Sequence, residues 1–463
     1  MENGNLSNPV QAVSIVGLGK LGAPTAACYA YKGFDVVGVD VSMQTVQMIN
    51  EGHAPVFEPG LEEMIQANRV RLRATTEYEE ALLRSDATII LVPTPSDDRH
   101  GFSLRYVLEA VEQIGKVLRK KKDYHLVIVT STVLPGAIDK EIRPMLEAQS
   151  SKRCGSDFGL CYNPEFVALG TVIHDFLNPD FILIGESDVR AGELLASCYQ
   201  RLCDNRPSIV RMNAINAEIT KLAVNTFVTT KITFANMMAR ICEKLPGADV
   251  DVVTSALGQD SRIGRKYLRG AIGYGGPCFP RDNLALSFLA EQVGARATLA
   301  EATDRANRLQ VDYLAGLVKS KLIPGGTIGV LGLTYKPQTD VVEESQGLLL
   351  SRALAADNLR VVAYDPAGMK NARRVLGTSV EFAKSVEECV QKSDLIVITI
   401  PWREFQFISP ELLKKTNKRR TVIDCWRLFN TEQFEGRVEY ITLGIGRDIS
   451  VPKDTTKRGG RDG

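Results

Sequence analysis

Ala12-Val-Ser-Ile-Val16 runs without a break into Gly17-Leu18-Gly19-Lys20-Leu21-Gly22, and a small-residue stretch continues to about Tyr31. After Gly33 a second apolar run, Asp35-Val-Val-Gly-Val39, is closed by Asp40. Strand, glycine turn, helix, strand and acid in this order leave few folds open, and the unit reads as the start of a doubly wound parallel sheet. Gly17 permits the tight turn, Gly19 lets a pyrophosphate approach the backbone, and Gly22 lets helix and strand pack closely. The pyrophosphate then meets free N–H groups at the positive end of the helix. Asp40 is placed to accept from both ribose hydroxyls, and its charge repels a 2′-phosphate. The pattern therefore predicts NAD rather than NADP.

Further strands follow at α/β spacing: Ala87–Val92, Leu126–Thr130 and Phe181–Gly185. Ligands of open parallel sheets bind beyond the carboxyl ends of strands, where Thr94 and Thr132 fall; capping of the turns accounts for either threonine equally well. Asn163-Pro-Glu165-Phe166 follows another short run, so Glu165 is a helix cap or a catalytic carboxylate. From about Asn213 the pattern turns helical, and Lys221 and Asn225 lie one turn apart among apolar neighbours. A snorkelling lysine would look the same. Thr298-Leu-Ala-Glu301 has the spacing of a capping box and opens a long helix that ends before Pro324-Gly-Gly326. A second strand-helix-strand pattern then begins with Thr327–Gly332, a helix over 345–357, and Val361–Tyr364 closed by Asp365. Leu395–Thr399 and Val422–Asp424 add strands, but there is no second G-x-G-x-x-G. The expected fold is α/β: two Rossmann-like doubly wound parallel-sheet domains joined by a helical central domain with a long connecting helix. The expected boundaries are a flexible start at 1–10, an NAD-binding domain at 11–212, a helical middle at 213–322, a second α/β domain at 323–450 and a flexible tail at 451–463.

At 463 residues and a formal net charge of +1, the chain is too long for one core and offers no field for nucleic acid or an anionic membrane. The basic run Arg119-Lys-Lys-Lys122 reads as a solvated helix end. Met1–Pro9 has no apolar signal-like core, and no apolar run is long enough to span a bilayer. The nine cysteines are scattered and the four histidines far apart, which points to reduced cytoplasmic thiols and no metal site.

One cysteine stands out. Gly270-Ala-Ile-Gly-Tyr-Gly-Gly-Pro-Cys278-Phe-Pro-Arg-Asp282 sets a thiol behind four glycines and between prolines, as in a mobile loop, with Arg281 and Asp282 beside it. A neighbouring cation raises the thiolate fraction that a nucleophile needs. A structural cysteine in a turn would tolerate the same frame. A thiol beside a nicotinamide can trap an aldehyde, lose hydride to give a thioester, and release an acid on hydrolysis.

Taken together, Gly17–Gly22, Ser131-Thr-Val133, Asn163-Pro-Glu165, Lys221 with Asn225, Arg262-Ile-Gly264, Gly275-Gly-Pro-Cys278, and Gly332-Leu-Thr-Tyr-Lys336 with Thr339-Asp340 resemble the nucleotide-sugar 6-dehydrogenases, the UDP-glucose type nearest. The resemblance runs from about residue 12 to 446. It implies an NAD-dependent four-electron oxidation of a sugar C6 alcohol to the carboxylate, with the substrate's nucleotide held by the last domain. It implies Cys278 as nucleophile, Lys221 and Asn225 at the C6 oxyanion, Asp282 acting through water, and Glu165 with Thr132 in proton transfer and water positioning. Cofactor contacts would come from Gly17, Leu18, Gly19, Lys20, Leu21, Gly22, Asp40, Thr94, Thr132 and Arg281. Substrate contacts would come from Glu165, Phe166, Val167, Lys221, Asn225, Arg262, the base-contacting Tyr267-Leu268-Arg269, Gly275 and Lys336. Arg262 matches an arginine that reaches a neighbouring subunit's sugar, which implies a homodimer or higher homo-oligomer.

The chain departs from the family's usual residues at several points. Pro277 replaces a serine, Leu169 a second carboxylate, Phe181 and Glu343 arginines, Val341 an acid, and Arg281 a lysine. None is Cys278, Lys221, Asp282 or Glu165, so the reaction type is unaffected; Leu169 and Glu343 bear on cofactor and sugar contacts, and hence on the choice of sugar. UDP-glucose is the expected substrate, with UDP-N-acetylhexosamines, TDP-glucose or GDP-mannose as alternatives. From other classes, a catalytically idle NAD/nucleotide-sugar binding module has no use for the intact thiol, lysine and acid. A two-electron β-hydroxyacid dehydrogenase needs neither the thiol loop nor the last domain.

Overall fold

The computed structural model describes residues 9–413, 420–430 and 438–446; the expected tail at 451–463 and most of the expected flexible start at 1–10 lie outside the described residues. The chain divides into two compact units, Met1–Thr226 with Arg281–Thr298, and Phe227–Pro280 with Leu299–Gly463. The helical middle is therefore shared between them. The 29-residue helix Ala214–Cys242 runs from the first unit into the second, and the helix Phe279–Gln292 runs back.

The first unit is built on eight strands: β1 (Ala12–Val16), β2 (Asp35–Val39), β3 (Leu72–Thr75), β4 (Ala87–Ile90), β5 (His125–Val129), β6 (Phe158–Tyr162), β7 (Phe181–Glu186) and β8 (Ser208–Met212). Their order is β3-β2-β1-β4-β5-β6-β7-β8. All neighbours are parallel except β6 and β7, which pair antiparallel. The apolar runs of the central strands need cover on both faces, and they have it. Successive residues go to opposite faces, so Val36, Ile89 and Ile128 join one apolar layer, and Val37, Ile90, Val127 and Val129 join the other. Burying each such side chain contributes about 1.5–3 kcal/mol. The chain leaves β1 toward β2 and returns on the other side to β4. The carboxyl ends of β1 and β4 thus flank the switch point where a ligand can enter.

The second unit carries β9 (Thr327–Leu331), β10 (Arg360–Tyr364), β11 (Glu381–Phe382), β12 (Leu395–Ile398), β13 (Thr421–Asp424) and β14 (Glu439–Thr442). The order β11-β10-β9-β12-β13-β14 is parallel throughout and again covered on both faces. The missing fingerprint has a structural counterpart. Gly332, at φ +108°, takes the turn after β9, and a Cβ on Gly347 would come within 2.0 Å of the Gly332 carbonyl oxygen. Gly17 and Gly22 meet in the same way at 1.8 Å. Fifteen residues rather than five separate the second pair, which hides it from a motif reading.

The basic run is only partly solvated. Lys121 turns inward to the carbonyls of Leu82 and Ser85, while Lys120 pairs with Glu79 at 2.7 Å.

Candidate active site

In the first unit the glycine loop has the shape that a dinucleotide needs. Gly17 has φ +93°, and a Cβ there would lie 2.4 Å from the Leu91 carbonyl oxygen. A Cβ on Gly19 would meet nothing within 4 Å, so the space above it is open to a ligand. Gly19 and Lys20 are exposed, Leu18 is buried and Leu21 partly so. No side chain caps the helix Gly22–Tyr31; Ala23 and Thr25 donate to the Gly19 and Leu21 carbonyls and Pro24 has no N–H, so the helix offers an anion the positive end of its dipole rather than a full turn of N–H groups. Asp40 Oδ2 accepts from the Leu18 N–H and Oδ1 from the Ser42 N–H, both at 2.8 Å. Each carboxylate oxygen retains accepting capacity for a ribose hydroxyl. These residues fit NAD.

Beyond β4, β5 and β6, the polar candidates of this unit form two hydrogen-bonded sets, carried one turn apart by Lys221 and Asn225 on the helix Ala214–Cys242. Lys221 Nζ donates to the Glu165 backbone carbonyl at 2.5 Å and lies 4.7 Å from the Phe166 ring centroid. One turn on, Asn225 Nδ2 donates to Asp282 Oδ2 at 2.6 Å. Asp282, fully buried, also takes Arg281 at 3.2 Å. Arg281 reaches the Thr94 carbonyl at 3.4 Å and covers the Phe102 ring. Thr94 Oγ1 donates to the Thr132 carbonyl at 2.8 Å, stitching the loops after β4 and β5 together. Phe166 packs on Phe181 at 4.8 Å, so the aromatic that replaces the family's arginine has a packing partner. Val167 rests against the apolar layer.

Three carboxylates support these sets. Glu165 is partly accessible at its edge, yet desolvation pushes its carboxyl up to about 7, against the pull of Tyr199 and of Lys221. The sequence offered no sign of the other two. Glu218, three residues before Lys221, is fully buried and accepts from the N–H of Gly136 at 2.6 Å and of Ile138 at 2.9 Å. It fixes the loop that carries Thr132, and burial pushes its carboxyl up to about 7 as well. Glu58 accepts from the N–H of Gly170 and Val172 and pins the segment after Glu165, where Leu169 stands in place of the family's acid. Their partners are 82 and 112 residues away, beyond any local pattern.

The second unit holds the thiol and the other substrate candidates. The loop before Cys278 is a buried, clamped segment rather than the mobile one expected from its glycines. The Asn236 amide pairs with the Ala271 N–H and the Ile272 carbonyl, both at 2.8 Å. The Asn307 amide does the same with both backbone groups of Tyr274, at 2.8 and 2.9 Å. The glycines answer packing: a Cβ on Gly275 would stand 2.3 Å from the Glu344 carbonyl oxygen, and Gly276, at φ +87°, lies against the Tyr335 ring. Arg427 supports the start of the loop by donating to the Gly270 carbonyl at 2.7 Å while forking onto Asp251 at 2.7 and 2.8 Å. Cys278 immediately precedes the helix Phe279–Gln292 and is exposed; Cys154 is partly buried and the other seven cysteines are buried. Burial pushes the Cys203 thiol up to about 11 and Cys198 up to about 12, which makes them poor nucleophiles. Tyr267, at φ +66°, is half exposed and meets Phe279 edge-on; Leu268 is buried, and Arg269 donates to the Trp426 carbonyl at 3.0 Å. Arg262 is exposed and forks onto Asp260, and Lys336 is partly buried.

Known proteins resemble this chain over most of its length. Models of the UDP-glucose/GDP-mannose dehydrogenase family match as NAD binding domain at 11–203, central domain at 215–309 and UDP binding domain at 329–431. UDP-glucose 6-dehydrogenase AglM of Haloferax volcanii is 37% identical over 420 residues, covering 90% of this chain and 96% of that protein. GDP-mannose 6-dehydrogenase of Pseudomonas savastanoi is 34% identical over 446 residues, covering 93% and 99%. A solved UDP-glucose dehydrogenase from Pyrobaculum islandicum superposes with a TM-score of 0.84 at 32% identity, covering 97% of this chain and 100% of that one. The chain belongs to the UDP-glucose/GDP-mannose dehydrogenase family, the NAD-dependent nucleotide-sugar 6-dehydrogenases.

Proposed function

We propose that this protein oxidises the C6 alcohol of UDP-glucose to the carboxylate. Two NAD and one water are consumed, and UDP-glucuronate, two NADH and three protons are released. NAD, when bound, supplies the hydride acceptor for each oxidation. The remaining work falls to the chain's own groups. Cys278 adds to the aldehyde carbon to form a thiohemiacetal; loss of hydride from that carbon leaves a thioester, and water releases the acid and the thiol. Lys221 and Asn225 donate to the C6 oxygen as it gains negative charge. Asp282 relays protons through water, and Glu165 with Thr132 takes the alcohol proton and later orients the hydrolytic water.

The observation that carries this reading is the pair of contacts one helical turn apart, Lys221 to the Glu165 carbonyl and Asn225 to buried Asp282. The exposed thiol stands four residues before Asp282, at the start of the same helix. UDP-glucose is favoured by the Haloferax volcanii and Pyrobaculum islandicum relatives. GDP-mannose is the second reading, favoured by the Pseudomonas savastanoi relative. A homodimer through the helical middle is supported by Phe227, Phe234, Met237 and Ile241, exposed apolar residues at helical spacing on Ala214–Cys242. A cytoplasmic site of action is supported by nine free thiols; among the described residues no helix is long and apolar enough to cross a membrane.

Replacing the nucleophile tests the mechanism. Cys278→Ser should bind NAD as the wild type does and form no acid. Undiminished turnover to the acid would overturn the covalent route.

A further inference from the structure

Asn163, Glu165 and Tyr199 share a hydrogen-bond arrangement that the roles above leave unused. Tyr199 is buried on the helix Val189–Leu202. Its hydroxyl lies 2.5 Å from Asn163 Oδ1 and 3.1 Å from Glu165 Oε1. A phenol has one proton and gives it to one acceptor at a time. The Asn163 amide decides which. Its Nδ2 donates to the Leu183 carbonyl at 2.8 Å, and a carbonyl oxygen only accepts. The amide oxygen is therefore the atom that faces Tyr199, and it too can only accept. The phenol proton goes to the shorter contact. Tyr199 then presents a lone pair to Glu165, and two acceptors 3.1 Å apart are compatible only when the carboxyl carries the proton.

We infer that the chain from Leu183 through Asn163 to Tyr199 favours the neutral form of Glu165, so that the carboxylate able to take the alcohol proton forms only as pH rises. Asn163 and Tyr199 thereby become positioning residues that set when this carboxyl can give or take a proton. The inference rests on the role proposed above for Glu165. The groups around Glu165 agree with it. Cys28 and Tyr29 on the first helix, and Tyr199 and Cys203 on and just after the helix Val189–Leu202, are all pushed up by burial and stay uncharged at neutral pH. Lys221 is the cation on the remaining side, and it favours the charged carboxylate, but its ammonium donates to the Glu165 backbone carbonyl. Desolvation outweighs it and brings the carboxyl up to about 7. That value includes a pull from Tyr199 as donor; with the phenol proton held by Asn163 the pull is absent, and the carboxyl is held higher still.

The test reads the Glu165 carboxyl directly in the full-length protein. Carboxyl-labelled glutamate is followed by carbon NMR across neutral pH, with Glu165→Gln assigning the resonance. In Tyr199→Phe the acid loses its acceptor, and the midpoint should fall by about one pH unit, the equivalent of one hydrogen bond. Asn163→Leu frees the phenol proton for the carboxylate and should lower the midpoint too, which gives a second reading independent of Tyr199→Phe. A midpoint that rises in Tyr199→Phe, as it must if the phenol donates to a carboxylate, overturns the inference, and so does one that stays put in either variant. The pH profile of kcat with UDP-glucose separates the two claims. If the resonance and the profile move down together, both stand. If the resonance moves and the profile does not, the control of protonation stands, and the role of Glu165 in the reaction falls.

Discussion

Gly19→Ala and Gly22→Ala are the same change three residues apart in one motif, and the geometry predicts opposite outcomes. At Gly22 the new methyl would sit 1.8 Å from the Gly17 carbonyl oxygen, and contacts under 3.0 Å are not tolerated. The helix Gly22–Tyr31 and the turn after β1 would have to separate by about 1.2 Å, from 1.8 to 3.0 Å, against a layer that buries Ala23, Ala26, Ala27 and Ala30. Overpacking of a filled core costs about 1–3 kcal/mol, and a clash with backbone rather than with a yielding side chain belongs at or above the upper end. At Gly19 the methyl meets nothing within 4 Å. The fold should hold to within about 0.5 kcal/mol, as for other open surface positions. The methyl would, however, occupy the approach of the pyrophosphate, and NAD affinity should fall by at least about tenfold, equivalent to about 1.4 kcal/mol. Denaturant unfolding without cofactor, followed by calorimetric titration with NAD, separates the effects. Wild-type NAD affinity in Gly19→Ala would show that the pyrophosphate does not lie over this residue. Wild-type stability in Gly22→Ala would show that the helix is not held against the turn as described.

Asp40→Ala should weaken NAD about tenfold and narrow the preference over NADP, read as KM for each cofactor; an unchanged preference would place the acid away from the ribose. Glu218→Gln can accept from only one of the Gly136 and Ile138 N–H groups and turns a donor toward the other, so unfolding should show a loss of about 1–3 kcal/mol. Because burial raises the Glu218 carboxyl to about 7, its stabilising contribution is complete below the ordinary carboxyl range and is lost as pH rises through about 7. The variant should flatten that part of the pH–stability curve, and an unaltered curve would refute the assignment. Arg427→Ala removes the fork onto Asp251 and the bond to Gly270, and should cost about 1.5–3 kcal/mol in denaturant melts, with Arg427→Lys recovering only part. Equal stability of all three proteins would show that the cross-link is idle.

The sequence carried the first β-α-β unit almost to the residue, because Gly17, Gly22 and Asp40 each answer a steric or electrostatic need within one local motif. It carried the second unit less well. There the pair Gly332 and Gly347 does the same packing from positions fifteen apart, and Asp365, the counterpart of Asp40, is consumed by the fold. Asp365 accepts from the N–H groups of Leu333, Thr334, Ala367 and Gly368, from the Thr334 hydroxyl and from the Trp402 indole. Asp40 accepts from two N–H groups and keeps capacity for a ligand. Nothing in the local sequence distinguishes the two acids. The glycines before Cys278 suggest mobility, yet their use is close packing under the Asn236 and Asn307 clamps, which lie 35 and 33 residues away from the backbone they hold. Glu218 and Glu58 act over still longer separations. Such contacts belong to the folded arrangement and leave no periodicity or spacing behind.

The central claim is a four-electron oxidation through a thiol, and the most direct measurement is the number of NADH formed per molecule of limiting UDP-glucose. The account predicts two, with none in Cys278→Ser. One NADH per sugar, with aldehyde accumulating, or two in the absence of the Cys278 thiol, would contradict it.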